Sequence, residues 1–142
     1  MKIKSKLIRY ILYFVSFSFI GLIFEYLLGS VFYSKGIYGL FHIKIPLLFF
    51  YGFGFLILVY FEKYIYSKKA SIYFKGLING LIIISYELFG GLVSILVFGN
   101  NLWDYSNHIL NFMGIISLPA SLIWITSGYL FTIFYQKRKD EF

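Results

Sequence analysis

Four long apolar stretches separated by short polar ones organise this chain. They run from about Tyr10 to Tyr33, Ile45 to Phe61, Leu77 to Phe98 and Ile115 to Tyr135. About 20 mostly apolar residues, rising 1.5 Å each as a helix, cross the hydrocarbon core of a bilayer. Each run therefore predicts a transmembrane helix. The runs are continuous and much longer than the alternating strands of a membrane barrel. The expected architecture is all-α: a polytopic four-helix bundle forming a single transmembrane domain over residues 1–142. Its loops are 34–44, 62–76 and 99–114.

Charge adds an orientation. Lys2, Lys4, Lys6 and Arg9 precede the first run. Lys63, Lys68, Lys69 and Lys75 lie between the second and third. Lys137, Arg138 and Lys139 follow the fourth. In a four-helix topology these eleven basic residues share one side, and only Lys35 and Lys44 fall on the other. Cytoplasmic segments carry the Lys/Arg excess. The expectation is cytoplasmic N- and C-termini, a cytoplasmic middle loop and two outer loops, in a multi-pass protein of the bacterial cytoplasmic membrane. The basic start also resembles a signal peptide, but the first run is too long, and no small-x-small cleavage site follows it.

Composition agrees. The 142 residues are 60% hydrophobic and 13% charged, against about 25% charged in a soluble domain. The net charge of +7 sits at the ends of apolar runs, so it predicts no nucleic-acid partner and places membrane lipid around the helices. The absence of cysteine excludes disulfides and thiolate metal sites.

Two motifs look like copies of one another. Phe24-Glu25-Tyr26-Leu27-Leu28-Gly29 and Tyr86-Glu87-Leu88-Phe89-Gly90-Gly91 both read aromatic-Glu-x-x-x-Gly, on helices expected to run the same way. This suggests two parallel two-helix repeats, as some transporters are built. Glu25 and Glu87 are also the two acids inside the runs. Intramembrane carboxylates are costly and normally face the bundle interior or a wet cavity. Helical spacing gives them such a face. Ser18, Gly21, Glu25 and Gly29 form one stripe of small or polar residues. Gly80, Glu87, Gly91 and Ser94 form a second, and Ser117, Ser121, Trp124, Gly128 and Thr132 a third. Counted along the helices, Glu25 lies toward the outer surface and Glu87 near the midplane. Each glutamate reads either as a tie between helices or as the wall of a functional site.

The second outer loop is the most polar segment: Gly99-Asn100-Asn101-Leu102-Trp103-Asp104-Tyr105-Ser106-Asn107-His108, followed by Asn111 and Gly114. Trp103 and Tyr105 suit a membrane interface, and Asp104 offers a third carboxylate near the outer mouth. The loop reads as a cap on the helices, a segment dipping between them, or a solvated connector. His42 and His108 fall in separate loops without a metal-ligand spacing, so no metal and no cofactor is expected. There is no P-loop, GxSxG or dinucleotide fingerprint.

On these residues the chain resembles the type IV ABC-transporter permease family of bacterial membrane proteins, the CmpB type. Gly21-Leu22-Ile23-Phe24-Glu25 keeps the Gly and Glu of the family's G-W-x-x-E. Tyr51-Gly52-Phe53-Gly54 matches the end of P-I-Y-G-x-G, and Glu87 with Gly91 matches the third-helix glutamate. Trp103-Asp104-Tyr105-Ser106, then Asn111 and Gly114, match W-D-Y-S and N-x-x-G-R-I. The resemblance runs from about Val15 to Trp124. Two arginines of the pattern are missing here. Ile115 replaces one, and the first outer loop reads Ser34-Lys35-Gly36-Ile37-Tyr38-Gly39, where Lys35 supplies a point charge in place of a fork.

The resemblance implies a membrane role in transport. The leading expectation is a permease-like protein whose substrate site is lined by Glu25, Glu87 and Asp104, with Lys35, Trp103, Tyr105 and Asn111 as further candidates. Four helices make a small pathway, which calls for a homo-oligomer or a partner membrane subunit. If ATP drives it, a separate cytoplasmic ATPase docks on the basic loop between Glu62 and Lys75. Two alternatives stay open: an intramembrane enzyme acting on lipid or a lipid-linked substrate, with no catalytic residue assigned, and a non-catalytic assembly or regulatory subunit.

Overall fold

The computed structural model describes residues 6–32, 45–66 and 69–142, with side chains for all of these except 28–32 and 45. The chain forms four long helices: α1 (Lys6–Phe32), α2 (Ile45–Tyr60), α3 (Ile72–Phe98) and α4 (Leu118–Arg138). All four contain segments long and apolar enough to cross a membrane. Among the described residues there is no strand, only an isolated bridge between Phe112 and Ile116. The protein is a multi-pass membrane four-helix bundle. The expected outer loop 34–44, with Lys35, lies outside the described residues.

Local chemistry sets the helix ends. The Ser71 hydroxyl accepts from Phe74 N at 3.1 Å and caps α3, so the helix starts five residues before the apolar run. Gly99 closes α3 in the left-handed region at φ 73°, its N–H on Ile95 O, a position where glycine carries no Cβ penalty. Ser117 caps α4, and a proline occupies its first turn, where no intrahelical N–H is needed. Beyond Tyr60, α2 continues as a π-helical turn, Phe61–Ile65, a rare form in proteins.

The helices pair as hairpins, α1 with α2 and α3 with α4, and the hairpins join across α2 and α3. α1 and α3 run away from the end carrying most of the lysines, and α2 and α4 return to it. Phe142 packs there on Tyr10, Tyr13, Phe55 and Tyr135. Lys63 Nζ donates to its carbonyl at 2.8 Å. At the other end a second core forms from Leu47, Trp103, Tyr105, Ile115, Ala120 and Trp124.

The closest backbone approach holds α3 to α4. A Cβ on Gly80 would lie 2.5 Å from Ile125 Cα, and one on Gly128 would collide with Gly80 N and lie 2.7 Å from Gly76 O. Gly76-x-x-x-Gly80 is the small-residue spacing that lets membrane helices touch. The three small or polar stripes face inward along their described side chains, with Ser18, Gly21, Gly80, Glu87, Gly91, Ser94, Ser117, Trp124, Gly128 and Thr132 buried. Most exposed positions along the helices are apolar, for example Leu96, Phe89 and Leu130, as lipid contact requires.

Substituting Gly128→Val drives a branched side chain into the α3 backbone. The cost expected is about 3 kcal/mol, the upper part of the overpacking range. Phe89→Ala, on the lipid face, should change stability by no more than about 0.5 kcal/mol. Thermal melts of both variants in one detergent check this ordering.

Candidate functional site

Glu87 is buried at 4% exposure. Its Oε2 accepts from Trp124 Nε1 at 2.6 Å, and its Oε1 accepts from the Tyr105 hydroxyl at 3.0 Å. α3, α4 and the loop between them therefore converge on one carboxylate. Reaching it requires the loop to descend. Phe98 stands about 16 Å above Glu87 along α3, whereas Leu118 stands only about 9 Å above the level of Trp124 along α4. The 99–117 connection bridges that difference by folding back between the helices.

The loop is held by its own polar groups. Trp103 Nε1 donates to Ile115 O at 2.8 Å, and Tyr105 N to Gly114 O at 2.8 Å. Asp104 Oδ1 accepts from Ser106 N at 3.0 Å. Asn111 donates to Ser106 O and His108 O and accepts from Gly114 N. Gly114, at φ 67°, makes the turn that the motif needs. Trp103 and Tyr105 are buried at 4% and 1%, so they are internal struts, not interface anchors. Tyr105 reaches the carboxylate, while Asp104 and Asn111 shape the loop that carries it.

Glu25, on α1, accepts a hydrogen bond from the Tyr51 hydroxyl of α2. The Tyr51 ring lies directly against Gly21, one turn before Glu25, where a Cβ would clash. The two glutamates face one cavity of about 380 Å³ lying among all four helices. Its surface is almost entirely aromatic and aliphatic, and the residues with polar groups that border it are Glu25, Tyr51, Tyr86, Glu87, Trp103, Trp124 and Ser127. Asp104 does not line it. Glu25 and Glu87, expected at different depths, both border this one chamber. Tyr51 and Trp124, which sequence reasoning did not single out as site residues, are the donors that fix these walls. Trp124 was visible in the α4 stripe, and Tyr51 in the Tyr-Gly-x-Gly motif.

A second polar cluster occupies the basic end. Lys75 Nζ lies 3.4 Å from Glu62 Oε2, with side-chain exposures of 7% and 0%. Asn79 Nδ2 donates to Glu62 Oε1 at 3.0 Å and to Thr132 Oγ1 at 2.8 Å. Tyr66 donates to Asn79 Oδ1 at 2.9 Å. Burial, then the Glu62 charge, pushes the Tyr66 phenol up to about 12, which keeps it a donor. Glu62 and Lys75 were expected in a basic loop. The π turn carries Glu62 inward, and the early start of α3 carries Lys75 to meet it.

Breaking this pair one-sidedly, by Lys75→Met or Glu62→Gln, should cost about 3–5 kcal/mol, because it strands a buried polar or charged partner. The double variant Lys75→Met with Glu62→Met should recover most of that loss. Denaturation midpoints of the three variants against wild type measure the coupling.

A membrane four-helix bundle with a largely apolar cavity that two glutamates border is the class this fold and site define. Residues 12–142 match the family described as "Putative ABC-transporter type IV", and the chain belongs to that family. No curated protein and no solved structure matches it.

Proposed function

We propose that this protein is a permease-like membrane component that binds its substrate in the chamber between Glu25 and Glu87. The observation that carries this reading is the chamber itself. In a chain of apolar helices, both carboxylates of α1 and α3 turn toward one cavity, large enough for a small organic ligand. Family membership supports a transport role. The positive-inside pattern supports the basic end as the cytoplasmic one. The chain has no nucleotide-binding motif, so ATP-driven transport takes a separate ATPase, for which the lysines of the basic end offer a docking charge. A further membrane subunit, or a second copy, completes the pathway.

One observation favours a second reading, the assembly or regulatory subunit. Both Glu87 oxygens already accept from Trp124 and Tyr105, the arrangement of a structural tie. The two readings separate by experiment. Under the permease reading, some members of a panel of amines, metal cations and lipids raise the melting temperature of the purified protein. A ligand at one hundred times its Kd adds about 2.7 kcal/mol. Glu25→Gln removes that gain while lowering the unliganded melting temperature only slightly. A panel without any stabilising member, with both Glu25→Gln and Glu87→Gln merely less stable, decides for the structural subunit.

A further inference from the structure

The chamber is not sealed evenly. Between α2 and α3 aromatic side chains fill the gap. The Tyr86 ring stacks on Phe50 at 4.2 Å, its hydroxyl donates to Phe50 O at 3.0 Å, and Gly90 and Gly54 let the facing rings press against backbone. Between α1 and α4 the backbones scarcely approach. These helices meet through side chains. At the basic end Tyr13 packs on Phe134, and its hydroxyl accepts from Arg138. Phe24 touches Trp124 near the carboxylates, and Phe17 touches Phe134 toward the basic end. Between these levels lie Ile20 on α1 and Leu130 on α4. Both line the chamber, yet they are 55% and 62% exposed. A residue that lines an internal cavity and also faces outward marks a side opening. In a membrane bundle that opening gives onto lipid.

We infer that the α1–α4 gap is a lateral portal through which a single-chain amphiphile bearing a cationic amine reaches the chamber from the bilayer. The inference rests on the substrate-site reading above and names the ligand class. The geometry assigns each part of the ligand. An apolar chain suits Ile20, Leu130, Phe17 and Phe134. The head lies among Glu25, Glu87 and Ser127, where a carboxylate pair complements an ammonium. Each carboxylate has about four acceptor sites. The two that Trp124 and Tyr105 occupy on Glu87 leave capacity for an ammonium, which brings three donors. Among the described residues that line the chamber, the ionisable acids are Glu25 and Glu87, and no lysine, arginine or histidine stands beside them.

The sequence supplies the readout. Its two tryptophans, Trp103 and Trp124, both line the chamber. In phosphatidylcholine nanodiscs, a long-chain bromoalkylamine should quench their emission at about one-tenth the concentration of the matching bromoalkyl alcohol, the effect of one charge-assisted hydrogen bond. Glu25→Gln should erase that difference. Filling the gap with Ile20→Phe and Leu130→Phe should slow quenching by the long-chain amine. Equal quenching by amine and alcohol in wild type overturns the inference. Strong quenching by a short water-soluble bromoalkylamine, unaffected by the filling variant, overturns the portal while leaving the carboxylate chamber as a site. No specific quenching by any amine, with Glu25→Gln also unable to alter the ligand-panel melts, removes both. If the filling variant instead converts a dimer to monomers, the gap is an interface between copies and the portal falls.

Discussion

The contact of Gly80 with Gly128 is the constraint on which both polar clusters depend. Because no side chain separates α3 from α4 at this level, groups within two turns of the crossing come within hydrogen-bond reach. Toward the basic end, Asn79 meets Thr132. Toward the other end, Glu87 meets Trp124. Spreading the helices by the width of one methyl group would lengthen both bonds together. Lipid tails supply no hydrophobic drive for helices to associate, so close packing and interhelical hydrogen bonds must do it. Here the packing contact sets the distance, and the hydrogen bonds at either side set the rotation and register.

The same medium explains why the polar groups form networks instead of isolated points. In hydrocarbon, an unmatched donor or acceptor finds no water. Glu62 therefore accepts from both Asn79 and Lys75, and Asn79 passes the chain on to Thr132 and Tyr66. Thr132 in turn donates to Gly128 O, closing the cluster back onto the helix crossing. A fully satisfied buried network fixes one arrangement, and this one ties α2, α3 and α4 at the end where the π turn lies. The chamber beyond is the opposite case. Its walls are braced by Tyr51, Tyr105 and Trp124, and its interior holds space.

The helices, their inward stripes and the two glutamates were legible because period and hydropathy are local. What escaped was set by groups distant in sequence. Lys75 and Glu62 read as loop charges, since a hydropathy window ends a helix at the first cluster of charge and cannot know that Ser71 caps α3 earlier. Gly76 fell in the same supposed loop, which hid the Gly76-x-x-x-Gly80 spacing. Trp103 and Tyr105 carry the composition of interface anchors, and only the folding of 99–117 between the helices turns them inward. Ile115 shows the limit of a motif. It stands where the resembling pattern has arginine, yet here it is fully buried against Gly91, an apolar plug beneath the loop.

The paired motifs gain physical content from the contacts. Tyr51 lies six residues into α2, and Trp124 six residues into α4. Each donates to the glutamate of the preceding helix in its own hairpin. The aromatic residue before each glutamate crosses to the other hairpin, Phe24 onto Trp124 and Tyr86 onto Phe50. Two hairpins built on one plan would by themselves give two equal seams. The seams differ because the two hairpins carry different residues there. Tyr86 against Gly54 and Phe50 against Gly90 fill the α2–α3 seam with rings, whereas Ile20 and Leu130 stand exposed at the α1–α4 seam. That difference gives the chamber a closed side and an open one, and so a direction of access within the plane of the membrane.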